Sequence, residues 1–251
     1  MPLPKSPIVQ MREITKAYGA VQALSGVSLD LYPGEVHALV GDNAAGKSSL
    51  IKTLSGAIRK DSGSILFDGN TVEINDPRHA KALGIETVYQ DLALSDNLDV
   101  PANIFLGREL TFKPPFQWFL DTKLMEKEAR SLIEKLKINI PDVRLKVKSM
   151  SGGQRQSIAI ARCVFFNARV IILDEPTAAL GVEETRKVYL LIQEMKAQGR
   201  SVLIISHNMN HVFENCDRIT ILKTGTLIGS KEVKNTTQEE IVRMIVSGSG
   251  S

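Results

Sequence analysis

The sequence predicts an α/β protein with a doubly wound, mostly parallel sheet. Three observations predict it. Val36–Val40, Val170–Leu173 and Ser201–Ile205 are short, mostly apolar runs, as strands buried on both faces require. Stretches of helical period alternate with them: Leu50, Ile51 and Leu54 after the first, and Val188, Leu191, Ile192 and Met195 after the second. Each run also ends in polar residues, Gly41-Asp42, Asp174-Glu175 and Ser206-His207. In open α/β sheets ligands gather at those strand ends.

In order, residues 8–32 read as strands. Val27, Leu29 and Leu31 alternate with Ser28 and Asp30, and Lys16–Gly19 forms the connection. Pro33-Gly34 turns the chain into Val36–Val40. Asp61–Gly63 reads as a turn, and Ile65–Phe67, Asp68–Asn70 and Thr71–Ile74 as a hairpin. Asp76-Pro77 opens a short helix with Asp as N-cap and Pro at its first position, and Gly84 closes it. Ile85–Tyr89 is a strand with Gln90 at its end. From 91 to 150 the pattern becomes helical. One helix runs from Val100-Pro101 to Phe105. A second is capped by Asp121 and carries Leu124, Met125, Ala129, Leu132, Ile133 and Leu136 on one stripe. Between them lies the aromatic stretch Phe112–Phe119. Ser151 caps a helix that is apolar on most sides after Ile158, and Thr237–Glu240 carries a capping box for the last helix. The domain spans 8–246, with a helical insertion at 91–150 running into 151–166. Residues 1–7, with three prolines, and 247–251, with Gly and Ser alternating, read as flexible tails.

Composition narrows the function. At 251 residues the chain can bury a sizeable core, and a net charge of +3 is too weak to argue for nucleic acid. Cys163 and Cys216 form no disulfide framework and no metal-ligand cluster surrounds them. No apolar run is long enough to span a membrane, and no signal peptide is visible.

Gly41-Asp42-Asn43-Ala44-Ala45-Gly46-Lys47-Ser48 fits G-x-x-x-x-G-K-[ST], the phosphate-binding loop, between a strand and a helix. Backbone N–H groups and the helix dipole favour an anion there. Lys47 would reach the β- and γ-phosphates, and the Ser48 hydroxyl would ligate Mg²⁺. ATP hydrolysis further needs a metal site and a positioned water. Asp174 suits the metal; otherwise it is a solvated strand-end carboxylate. Glu175 is placed to polarise the attacking water as general base. Its alternative is a charge that orders the loop. His207 could donate to the γ-phosphate or be structural. Gln90 could sense the metal or water. Tyr18 could stack on an adenine face or simply pack. His37, His79 and His211 carry no argument.

Ser151-Gly152-Gly153-Gln154-Arg155-Gln156 resembles the ABC signature LSGGQ, with Met150 in place of Leu. Together with the phosphate loop, Gln90, ILDEP and His207 in this order, it resembles the nucleotide-binding subunit of an ABC transporter over residues 8–230. That resemblance implies a P-loop NTPase with a RecA-like core, an antiparallel β subdomain and a helical subdomain. It implies ATP and Mg²⁺ as cofactors, with Ser49 next to the loop Ser. It also implies a head-to-tail dimer, a homodimer or a pair with another subunit. There Ser151 and Gly153, flanked by Gly152 and Gln154, meet the γ-phosphate on the other subunit's loop. Permease subunits would be driven by this pair at the cytoplasmic face of the membrane, fed by a periplasmic or extracellular binding protein.

The segment Val88–Glu109 and Ala178–Val182 resemble the branch that imports simple sugars of the ribose, xylose and fructose types. Most chains of that branch carry two units in tandem; this sequence carries one, as in the fructose type. The alternatives are an ABC subunit for another cargo and, less favoured by the balanced charge, a soluble ABC-type ATPase acting on nucleic acid or ribosomes. Against the family pattern, Ala44 stands where Gly is common, Ser49 replaces Thr, and Gly181 replaces the Asp of the loop after the ILDEP strand.

Overall fold

The computed structural model describes residues 6–249; 1–5 and 250–251, and with them most of the expected tails, lie outside it. Ser247 belongs to the last helix rather than to a tail. The chain divides into two compact units. One holds the residues up to Thr87, Ala168–Pro176 and Ile192 onward; the other holds Val88–Asn167 and Thr177–Leu191. The sequence places the insertion at 91–150 running into 151–166, so the second unit adds the start of a helix read there as part of the core.

In the first unit, β1 (Val9–Tyr18), β2 (Val21–Leu31), β4 (Ser62–Phe67) and β5 (Asn70–Val72) form an antiparallel sheet in the order β2-β1-β4-β5. β1 runs on to Tyr18, which shortens the predicted connection to Gly19-Ala20. β4 likewise begins inside the predicted turn. Asp61 accepts from Lys16 and from the Ala17 amide, and drawing the strands together there requires Gly63: a Cβ would lie 2.5 Å from the Arg12 and Glu13 carbonyl oxygens. Asp68-Gly69 turns with both φ positive, the mirror-image turn that suits hairpin twist.

The second sheet has the order β10-β9-β3-β8-β7-β6. It uses β3 (Val36–Val40), β6 (Ile85–Val88), β7 (Val170–Asp174), β8 (Ser201–Ile205), β9 (Arg218–Lys223) and β10 (Thr226–Glu232). β9, β3, β8 and β7 are parallel, and β10 returns antiparallel. Every residue of β3 and β8 is buried, which explains their unbroken apolar character. Helix α1 (Lys47–Leu54) adds Leu50, Ile51 and Leu54 to one core cluster with Met11, Leu39, Val170 and Leu203. Asp76 caps α2 (Pro77–Ala82) as expected.

In the second unit, Asp99 caps α3 (Val100–Phe105) and Asp121 caps α4 (Thr122–Lys135). Leu124 is exposed, so it leaves the predicted stripe; the rest of the stripe is buried. Helix α5 (Gly152–Phe165) is buried from Gln156 to Ala161. Phe105, Phe165 and Phe166 pack edge to face. All ten residues from Thr111 to Leu120 are exposed, Trp118 by 83%.

Helix α7 (Met209–Asn215) and strands β9 and β10 are not among the elements read from the sequence, although β9 carries the apolar Ile219, Ile221 and Leu222 and Asn208 caps α7. The β9–β10 turn is Thr224-Gly225 with φ 43° and 76°; a β-branched residue is unusual there and hides the turn. Helix α6 (Val182–Ala197) matches its predicted period, and α8 (Gln238–Ser247) closes the chain. Thr237 accepts from the Glu240 amide, but the Glu240 carboxylate accepts from Lys231 and Thr236, so the reciprocal half of the predicted capping box is not among the bonds formed.

Candidate nucleotide site

The chain leaves β3 at Gly41 and enters α1 through Gly46. A Cβ at Gly41 would lie 2.1 Å from the Leu222 carbonyl oxygen, and one at Gly46, φ 97°, would lie 2.6 Å from that of Ala23. Only glycine lets the loop press on β9 and β2 in this way. Asp42, Asn43 and Ala44 are exposed, while Ala45 is buried. Ala44 sits at φ 62°, so the left-handed backbone is real and Ala carries strain of about 1 kcal/mol there.

No side chain caps α1; its N-cap is Gly46. The first amides therefore face the loop's concavity, ready for an anion. The buried Lys47 ammonium donates to the Gly41 and Asp42 carbonyl oxygens at 2.7 and 2.8 Å. Burial pulls its pKa below the ordinary value, against the charges of Glu175, Asp42 and Asp174. Ser48 is exposed and Ser49 half-buried.

β7 and β8 run in parallel with Asp174 opposite Ile205. This register sets Glu175 beside the residues that follow β8. The Glu175 amide donates to the Ile205 carbonyl at 3.1 Å, and its carboxylate meets His207 Nε2 at 3.0 Å. Glu175 holds φ 49°, uncommon for a non-glycine residue, and strain of this kind clusters at functional positions. Burial first, then the neighbouring Glu175 charge, pushes the Asp174 carboxyl up; Lys52, Lys47 and His207 oppose this. The structure thus brings together Lys47, Asp174, Glu175 and His207 at the carboxyl ends of β3, β7 and β8.

The remaining predicted residues are placed separately. Tyr18 is exposed at the end of β1, with the Lys16 ammonium 5.8 Å from its ring centre. Gln90 is exposed just past β6 and belongs to the second unit. Ser151, Gly152, Gly153 and Gln154 open α5 in that same unit. Ser151 Oγ accepts from the Gln154 amide at 3.3 Å, and the Gln154 side chain returns to the Ser151 amide at 3.0 Å, a full capping box. Gln154 also donates to the Asn139 carbonyl at 2.8 Å. One neighbour was missed from sequence: Glu184, in the first turn of α6, lies against Gly153. Its signal was a Glu three residues after a helix-opening Gly181, a capping-box spacing that could have been read. His37 is a core residue: burial pulls its pKa to about 3 and its Nε2 lies 2.7 Å from the Thr220 hydroxyl.

A glycine loop between a buried strand and an uncapped helix, with a lysine facing two strand-end carboxylates, defines a phosphate-loop ATPase. The family model described as "ABC transporter" matches residues 24–178. The chain is 48% identical over 242 residues to the xylose/arabinose import ATP-binding protein of Sulfolobus acidocaldarius, covering 96% of this chain and 95% of the relative. It is 46% identical to the fructose import ATP-binding protein of Rhizobium meliloti, covering 95% and 93%. It is also 41% identical to a ribose import ATP-binding protein of Escherichia coli O157:H7, of which it spans 47%. Among solved structures, a nucleotide-free ATP-binding cassette from an ABC transporter aligns with TM-score 0.82 at 26% identity, over 96% of this chain and 95% of that one. This chain belongs to the ABC transporter family, and its chemistry is ATP hydrolysis.

Proposed function

We propose that the chain is the ATP-hydrolysing subunit of an importer for a simple sugar, acting as a dimer at the cytoplasmic face of the membrane on permease subunits. The convergence of Lys47, Asp174, Glu175 and His207 at three adjacent strand ends carries the ATPase part. Two near-full-length relatives named for sugar import support the cargo. The α1 amides and Lys47 hold the triphosphate. Among the described residues no group of three or more His, Cys, Asp or Glu could hold a metal. Asp174, a strand-end carboxylate beside Lys47, suits Mg²⁺, which uses one or two carboxylates and completes its shell with water and substrate phosphate. Ser48 and Asp174 would hold it, where it neutralises phosphate charge. Glu175 takes the proton of the attacking water, and His207, whose Nε2 lies 3.0 Å from the Glu175 carboxylate, would turn to donate towards the γ-phosphate. Gln90 senses water and metal, and Tyr18 stacks on the base. Ser151 and Gly153 of a second copy complete the site. A sugar-binding protein outside the membrane would supply the cargo, and no nucleic acid is expected. No helix among the described residues is long and apolar enough to cross a membrane.

The exposure of Phe112, Phe116, Trp118 and Phe119 favours docking to a permease over core packing for that stretch. The test is co-purification with the permease, followed by ATP turnover in proteoliposomes with and without sugar-loaded binding protein. Stimulation by a ribose, xylose or fructose-type sugar is expected. Stimulation only by an amino acid or a metal would replace the cargo while leaving the ATPase reading intact.

A further inference from the structure

The N-terminus of α5 already holds an anion, and it comes from the same chain. Glu184 lies so close to Gly153 that a Cβ there would sit 2.9 Å from Glu184 Cβ and 3.2 Å from its carboxyl carbon. Its Oε2 accepts from the Gly181 amide at 3.4 Å, the amide at the start of its own helix. The neighbouring Ser151 hydroxyl first, and then the Gly181 and Gly153 amides, hold its carboxyl below the usual range for Glu. One negative group thus bridges the amino ends of α5 and α6, where both helix dipoles favour it.

Ser151 and Gly153 are the groups that the proposed function assigns to the γ-phosphate on a second copy of this chain. They cannot serve phosphate and Glu184 fully at once. A triphosphate arriving at Ser151 would meet the like charge of a carboxylate already seated against Gly153. We propose that Glu184 is an internal competitor for the signature: its carboxylate holds the phosphate's place in the separated subunit and must release Ser151 and Gly153 before the second copy's nucleotide can close the pair. Gly181 brings no carboxylate of its own, and Glu184 is bonded to its amide. Displacing Glu184 therefore frees the start of α6, in the segment that follows Glu175-Pro176 in the chain. The competitor sets how much ATP the dimer needs, not how tightly a lone subunit holds ATP.

This inference rests on the composite-site reading above. The test uses the full chain carrying Glu175→Gln to slow hydrolysis, and titrates ATP-driven dimerisation by sedimentation velocity. Nucleotide binding to the monomer is measured in parallel by equilibrium dialysis. Glu184→Gln keeps a capping side chain of the same shape and so preserves the fold. Adding it should lower the ATP concentration at half-dimerisation by about fivefold or more, the lower end of ordinary coupling between sites, with monomer binding unchanged. An equal or higher ATP requirement in Glu184→Gln overturns the competitor. If Glu175→Gln alone forms no ATP-dependent dimer while its monomer binds ATP, the composite-site reading fails first. A merely structural Glu184 would lower the melting temperature of Glu184→Ala and leave the Glu184→Gln dimerisation midpoint where it was.

Discussion

Two helix amino-termini in this chain are built in opposite ways. α1 begins at a left-handed glycine and has no side-chain cap, so its amides face a loop lined by a lysine. α5 begins at Ser151, which exchanges two hydrogen bonds with Gln154, and a Glu184 carboxylate lies over its first turn. Both ends have the same orphan donors and the same dipole. The first leaves them for a ligand; the second satisfies them from within. On the proposed function α1 is a site in itself, whereas the proposed competition makes α5 a surface whose donors are released when something better charged arrives. Substitutions at each end should expose this difference.

The largest effect belongs to the chemistry next to α1. Glu175→Gln keeps the side-chain volume and the register of β7 against β8 but removes the base. Turnover should fall at least ~100-fold, the lower range for a lost general base, while equilibrium ATP binding persists. Turnover near that of the unchanged protein would remove Glu175 from the base role and leave it as a loop-ordering charge. Lys47→Ala comes next. It removes a buried ammonium that faces Glu175, Asp42 and Asp174. Loss of one charge-assisted contact to phosphate should weaken ATP binding about 10- to 100-fold, read by equilibrium dialysis. Unchanged affinity would mean that the amides of α1 suffice without the lysine.

At α5 the expected loss is one of stability rather than affinity. Gln154→Ala deletes the return bond to Ser151 and the bond to the Asn139 carbonyl. A lost capping interaction costs about 1 kcal/mol, which lowers the melting temperature of a chain this long by about 2–4 °C. ATP binding to the isolated subunit should not change. A fall in that affinity instead would contradict the separation between the two ends.

The same contrast explains what sequence could and could not show. Spacing alone located the phosphate loop, because Gly41, Gly46 and Lys47 are fixed by covalent geometry and close approach to β9 and β2. The ends of β7 and β8 were legible because buried strands are written as apolar runs. The pairing of Glu175 with His207 was not, since it depends on a register between strands some thirty positions apart. β9 and β10 were missed because a threonine occupies the turn. Glu184 was missed for another reason. It lies in the first turn of α6, where its spacing from Gly181 could be read, but its meeting with Gly153 depends on how two helices pack, which no local pattern records.

The smallest effect tests the loop's own strain. Ala44 holds φ 62° inside the phosphate loop, where the family commonly has glycine. Ala44→Gly relieves about 1 kcal/mol of left-handed strain, but glycine gives the unfolded chain more freedom, worth about 0.4–1 kcal/mol in the other direction. The two nearly cancel, so the melting temperature should rise by no more than about 2 °C. Ala44 is exposed and makes no core contact, so no cavity term enters. A rise well above this would mean that the loop stores more strain than its backbone angle implies. A fall would mean that alanine's restriction of the unfolded chain outweighs the strain. In either case ATP affinity decides whether the strain matters at the site. An uncapped α1 presents the same amides with Ala or Gly at 44, so affinity should stay within about twofold. A larger gain for Ala44→Gly would show that alanine holds the α1 end short of its best geometry, and would narrow the difference between the two helix ends.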